Sequence, residues 1–202
     1  GACGNRCGIA ILRCRWRPDR EAGAGQQLMG YRGFDDLPDD LPNQLRQFTD
    51  YWLSLVPGAG LLPSRADFDL LALPAIVPSM MIIERVPTEG GLRDMYRFVG
   101  TRHRDQSGRE LTGKFFDEVW DERSCEDARR LFAHITETRQ PHYWERSVET
   151  DGGFSISFIR VLCPLASDRQ SVNMFIGAWT YDETQGNAAM KDGKFTIAKR
   201  RK

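Results

Sequence analysis

The chain predicts an α+β fold: an antiparallel five-stranded sheet with a helical insertion between strands 2 and 3, plus an N-terminal amphipathic helix. Three observations carry this. Two short strand-like runs, 80–86 and 94–99, are joined by a loop containing Glu89-Gly90-Gly91, a hairpin signal. Three further runs, 143–149, 156–164 and 172–181, are linked by a turn at Asp151-Gly152-Gly153 and by the polar loop 167–171. Between the two sets lies a segment of helical period. Hairpin-linked strands with helices set between the second and third give a mixed antiparallel sheet.

The elements follow in order. Leu41, Leu45, Phe48, Trp52 and Leu55 recur at spacings of four, three, four and three, a narrow apolar stripe on one helix face. Pro42 falls in the first turn, where a missing amide is tolerated, and Pro57-Gly58 with Gly60 ends the helix. Such a stripe either packs on its own domain or forms a helix–helix seam in a homodimer; the spacing allows both. After the first strand pair, residues 102–120 read as irregular and short-helical. A clear helix runs over 124–138, with Ser124 and Asp127 as its capping pair. Cys125, Ala128, Leu131, Phe132 and Ile135 share one face, and Pro141 stops it.

Composition narrows the function classes. With 202 residues, 41% of them hydrophobic, the chain is globular and long enough to bury a core without staples. No apolar run approaches the ~18 residues of a membrane span, and the four-residue patch 9–12 is too short for a secretory leader. The net charge is zero but unevenly spread: residues 1–28 carry +3, residues 191–202 carry +5, and the middle carries −8. An acidic body does not attract nucleic acid, so none is expected as a partner. Residues 1–40 are read as a non-domain segment and 41–183 as the domain. Residues 184–202 are read as a basic tail, ending in Ala198-Lys199-Arg200-Arg201-Lys202. The first 28 residues, rich in Gly, Ala, Arg and Cys, are read as non-native. Five cysteines, three of them at 3, 7 and 14, match neither a zinc pattern nor a paired framework, so the reducing cytoplasm is the expected compartment.

Several motifs occur together. Tyr51-Trp52 on the first helix precedes Leu62-Pro63-Ser64-Arg65-Ala66-Asp67-Phe68-Asp69. Then come Tyr96-Arg97-Phe98-Val99-Gly100-Thr101 and Gly108-Arg109-Glu110-Leu111-Thr112-Gly113. This combination resembles a family of bacterial proteins of about this length built around one PAS-type domain. The resemblance spans residues 41–183; the two ends have no counterpart in it. It implies a PAS sheet and helical pocket used in signalling, usually without catalysis, and it brings no catalytic residues.

Beside that resemblance stands the chemistry of the residues. Gly108–Lys114 falls one hydroxyl short of a phosphate-binding loop, because Phe115 stands where Ser or Thr would hold Mg²⁺; a glycine-turned loop is the better account. His134 lies about 120° from the centre of its helix's apolar face and is expected to point sideways or out, not into a haem pocket. His103 and His142, near strand ends, are expected to be exposed or capping. Asp117-Glu118 and Asp121-Glu122 read as a solvated helix face. Arg65, Asp67 and Asp69 form a charged triplet around Phe68. In it Arg65 holds a carboxylate or a helix end and the aspartates cap turns; relay between the first helix and the sheet is the functional alternative.

The inward positions expected to line a ligand pocket, or to fill a solid core, are Ile82, Tyr96, Phe98, Phe116, Leu131, Ile135, Phe158, Phe175 and Trp179. The expected function is a non-enzymatic PAS-type sensory domain, likewise cytoplasmic, that binds a small ligand or dimerises and signals in trans. Two alternatives stand beside it. One is a pure interaction module; the other is a cone-shaped isomerase or dehydratase needing a buried acid beside Tyr96. No cofactor and no metal are expected: segment 102–120 holds no cysteine for a covalent flavin, and no zinc ligand set exists.

Overall fold

Pro42, with φ fixed near −50°, ends an extended entry and caps a helix, α1 (Asn43–Ser54). The computed structural model describes residues 37–38, 41–149, 155–181, 188–191 and 194–197. The expectations for residues 1–28, Cys3, Cys7 and Cys14 lie outside the described residues. After α1, three short 3₁₀ turns (Arg65–Asp67, Leu70–Ala72, Val77–Ser79) lead into β1 (Met80–Thr88) and β2 (Gly91–Val99). The insertion holds α2 (Thr101–Ser107), α3 (Phe116–Val119) and α4 (Glu122–Thr138). Then come β3 (His142–Glu149), β4 (Ser155–Leu165) and β5 (Met174–Tyr181). All neighbours in the sheet are antiparallel, in the order β2-β1-β5-β4-β3. The chain is therefore α+β, with the expected five strands and the helices between strands 2 and 3.

Several boundaries differ for local reasons. α4 begins at Glu122 because Asp121, not the Ser124/Asp127 pair, is its cap: Ser124 N donates to Asp121 Oδ1 at 2.8 Å. It ends in a left-handed Arg139 (φ 57°), whose N–H donates to Ile135 O. β5 starts two residues later than expected because the Asn173 side chain accepts from Ser167 N at 2.9 Å and keeps Val172 and Asn173 in the turn. Within the segment read as a basic tail, β6 (Ala188–Lys191) and β7 (Lys194–Ile197) pair antiparallel as a separate two-stranded sheet.

Each face of the five-stranded sheet carries its own core. On one, α1 lays Leu45, Phe48 and Trp52 against Met80, Ile82, Val161, Cys163, Leu165, Ile176 and Ala178. Phe48 and Leu45 have no exposed surface, and burying side chains of this size contributes about 1.5–3 kcal/mol each. Trp52 Nε1 also donates to Pro164 O at 3.0 Å, so its polar atom is satisfied across the interface. This corrects the dimer-seam expectation. Leu41, Leu45, Phe48 and Trp52 are buried in their own domain and Leu55 packs against the same core, because the sheet's apolar face needs a helical cover.

On the opposite face, α3 and α4 cover Met81, Ile83, Tyr96, Val99, Leu162 and Phe175. The register of β1 with β2 slips between the Ile82–Phe98 and Ile83–Tyr96 pairs, leaving Arg97 as an extra, exposed residue. That bulge decides which side chains share a face. Period-2 alternation would put Tyr96 and Phe98 together, but the inserted residue sends Phe98 to the α1 side beside Ile82.

Candidate functional site

The helix-side face of the sheet holds most of the expected pocket residues. Tyr96, Ile135 and Phe175 are buried there, with Phe116, Leu131 and Trp179 packed against them. Ile82 and Phe98 are corrected to the α1 side for the reason just given. The side chain of Phe158 lies outside the described residues. Aromatic rings run through this layer: Tyr96 stacks on Phe116 at 4.3 Å, Phe116 meets Phe132 edge-on at 5.6 Å, and Phe132 stacks on Phe175 at 4.6 Å.

Polar groups are set into the same layer. Trp120 Nε1 donates to the Tyr96 hydroxyl at 2.7 Å, and burial holds the Tyr96 pKa well above its ordinary value. At one end, Arg85 Nε faces the buried Asp94 Oδ1 at 3.3 Å, and Arg85 Nη1 donates to Thr136 Oγ1 of α4. Burial raises the Asp94 pKa despite the opposing Arg85 charge. At the other end, His103 from α2 bonds Ser79 O at 3.0 Å and meets the Trp179 ring edge-on at 4.8 Å. His103 and His142 are buried, which corrects the expectation of exposure, while the bond of His103 to Ser79 O, at the end of the Val77–Ser79 turn, is a capping contact. Burial lowers the pKa of His103, and it lowers that of His142 to about 3, with the charges of Arg160 and His134 adding to the effect. His134 is half-buried on α4, near enough to His142 to add to the lowering of its pKa.

The residue absent from the sequence expectations is Arg160. Register pairs Trp144 of β3 with Arg160 of β4, and Arg160 with Trp179 of β5. The three side chains form one row across three strands. The Arg160 Cζ lies 5.0 Å from the Trp144 ring centroid and 5.8 Å from that of Trp179. Its Nε is shut off from solvent and has no hydrogen-bond partner among the described residues. Burial pulls the guanidinium pKa down to about 10, still charged at neutral pH. Two cation–π contacts supply about 1–2 kcal/mol each to a guanidinium that is partly buried, with Nε its atom closed to water. Alternation along β4 was the available signal, since residues 160 and 162 fall on one face and Leu162 is inward.

The charged triplet sits elsewhere. Ser64 Oγ accepts from Ala66 N, and Asp67 Oδ2 accepts from Ser64 N at 2.7 Å, a reciprocal cap. Asp69 Oδ1 accepts from Leu71 N, as expected of a turn cap. Arg65 holds a helix end, the second of the two expected roles: its Nη1 donates at 2.7 Å to the carbonyl of Phe68, the C-cap of the Arg65–Asp67 turn, and among the described residues it is paired with no carboxylate. The carboxylate lock belongs to Asp67 and Arg169, from the loop before β5. Tyr51 completes the arrangement: its hydroxyl accepts from Asp69 N at 3.1 Å and its ring meets Phe68 edge-on at 4.9 Å.

The remaining motifs resolve into structure. A Cβ at Gly100 would run into the backbone carbonyls of Val77 and Pro78, so only glycine fits where β2 turns into α2. Gly113, at φ +80°, donates its N–H to Tyr96 O at 2.7 Å, making 108–114 a loop bonded to β2. Asp117 is exposed and paired with Arg93, and Glu118 accepts from Phe115 N. Among the described residues no group of three or more His, Cys, Asp or Glu could hold a metal ion. No helix of these residues is long and apolar enough to cross a membrane.

Among solved structures, a Rhodobacter sphaeroides LOV protein aligns at 8% identity and a TM-score of 0.37, covering 71% of each chain. Its d2 variant aligns at 10% identity, a TM-score of 0.36 and 70% of each chain. An RNA-binding light-oxygen-voltage receptor aligns at 15% identity and a TM-score of 0.35 over 64% of this chain, which spans 38% of that one. Likenesses this distant carry no argument about activity. No curated protein matches. The family model described as PAS domain matches residues 42–180, from the cap of α1 to the end of β5, and the chain belongs to the PAS domain family of sensory and signalling domains.

Proposed function

We propose that this PAS domain senses a small ligand held between the sheet and helices α2–α4, and passes the state of that site to a partner in trans without catalysis. The observation that supports it is the contrast between the two faces. The α1 side is packed with aliphatic and aromatic groups, its buried Thr49 hydroxyl bonding back to Leu45 O of the same helix, whereas the helix side sets Arg160, the Tyr96 hydroxyl, His103 and His142 among its rings. A few polar groups inside an apolar layer orient a ligand, while a purely structural core has no use for them. The isomerase reading has less support, since the group on the Tyr96 hydroxyl is the Trp120 indole and not a carboxylate.

Signal transfer is proposed to use the Ser64–Asp69 turn. It joins α1, through Tyr51, to the β4–β5 loop, through Asp67 and Arg169. A homodimer remains part of the proposal, using a face other than the α1 stripe, and a cytoplasmic setting fits the free, buried Cys125 and Cys163. The ligand reading is tested by melting the purified chain against a diverse small-molecule library. A true ligand raises the melting temperature steadily with concentration; a flat response throughout overturns the reading.

A further inference from the structure

We propose that the ligand carries a single carboxylate, which Arg160 takes between the rings of Trp144 and Trp179. The inference rests on the ligand-binding reading above and adds the chemistry of what is bound. Arg160 stands in the middle of the helix-side face, one strand in from the sheet edge, paired across the ladder with Trp144 on one side and Trp179 on the other. Its cation–π contacts are with those two rings. An indole face offers a cation its negative quadrupole but accepts none of its N–H bonds. The Nε–H of the guanidinium therefore finds no acceptor in them, and it is closed to water.

The rest of the layer does not supply the missing charge. Asp94, the buried acid on this face, is committed to Arg85. Tyr96 is kept protonated by burial, and His142 is kept neutral, in part by Arg160 itself. The Tyr96 hydroxyl accepts from Trp120, and its own proton is available to a further acceptor. Arg160 and the Tyr96 hydroxyl thus face one layer in which, among the described residues, no anion pairs with either.

The complement is a group with two coplanar acceptor oxygens and one negative charge. A carboxylate matches the fork in a two-point geometry and leaves the interior neutral; a phosphate dianion would leave an excess negative charge. The flanking indoles suit an apolar body attached to that carboxylate.

Benzoate and hexanoate, each set against its neutral amide, test this on the full chain. Affinity is read from melting temperature and from the Arg160 Nε–H resonance. The expected result is that the carboxylates bind at least about tenfold tighter than the amides and move that resonance. Arg160→Met, which keeps the stem and removes the unpaired charge, is expected to stay folded and to abolish the difference between acid and amide. If that variant does not fold, the wild-type comparison and the resonance decide alone. Equal binding of acids and amides would overturn the carboxylate while leaving the ligand-binding reading intact. Inorganic phosphate acting as well as the carboxylates would overturn it too. No response to any acid or amide up to about 10 mM would overturn both readings.

Discussion

Asp67 and Arg169, 102 residues apart in sequence, form a two-point ion pair: Arg169 Nη2 donates to Asp67 Oδ1 at 2.9 Å and Nη1 to Oδ2. Around it, Leu62 N donates to Arg169 O and Ala166 N to Pro63 O, so the whole 62–69 turn is stitched to the β4–β5 loop. Arg169 reaches this position in a left-handed backbone conformation at φ 68°, a strained one for a non-glycine residue. The lock is half-exposed, which limits its contribution to stability.

Removing either partner, by Asp67→Asn or Arg169→Met, should lower the melting temperature, and the double variant should lower it little further. A double-mutant cycle by thermal melting checks the coupling. The pH dependence has a definite sign. The hydrogen bond from Arg169 lowers the Asp67 pKa below its ordinary 3.8, so its stabilisation is complete above that value and is lost as pH falls through the lowered one. Asp67→Asn should remove that part of the acid sensitivity.

His142 acts over a higher range. Its pKa falls from an ordinary 6.5 to about 3 in the fold, chiefly by burial. The unfolded chain therefore takes up this proton first, and stability should decline by up to about 1.4 kcal/mol per pH unit as pH falls from about 6.5 toward 3. Denaturant melts at several pH values check this. His142→Gln should flatten the slope, and an unchanged slope would assign the acid sensitivity to other groups, such as His103.

Glycine substitutions should separate backbone from side-chain obstruction. Gly100→Ala drives a Cβ into two carbonyl groups that cannot move without shifting the turn before β1, and should cost about 2 kcal/mol or more. Gly177→Ala meets Leu162 Cδ1 and Trp179 Cζ3, both at 2.8 Å, and Val161 O at 3.0 Å. The side-chain ends have more freedom to yield, so the penalty should be smaller. Chemical denaturation of both variants reads the order.

The α1 stripe yields a further prediction. Phe48 is fully buried against Phe68 and the sheet. Phe48→Ala should cost about 3–5 kcal/mol in denaturant melts, with no change in the mass seen by light scattering under native conditions. A change in mass at full retention of stability would return the stripe to an interface role.

The strand pairs and helices were legible because their signals are local. Glu89-Gly90-Gly91 lies at the β1–β2 turn, and the 3.6-residue recurrence of Cys125, Phe132 and Ile135 survives as the buried face of α4. What failed was parity. One bulged residue, Arg97, reverses the alternation of β2 and moves Phe98 to the other core, and nothing in Tyr96-Arg97-Phe98 announces it. Long-range partners were equally silent. Asp67 and Arg169 can be matched only once the two loops are known to touch. Arg160 is a different case, since strand alternation alone turns it inward with Leu162, and an inward charge is legible without the structure.

The central claim, that a ligand sits between the sheet and α2–α4, is tested most directly by mapping amide and indole N–H shifts of the labelled chain. Titration with benzoate, hexanoate, indole and benzamide would be followed in turn. The account predicts saturable shifts clustered at Tyr96, Phe116, Leu131 and Trp179 and at the indole N–H of Trp120 and Trp144, with Leu45, Phe48 and Ile82 unmoved. Shifts confined to the α1 side, or none that saturate with any probe, would contradict it.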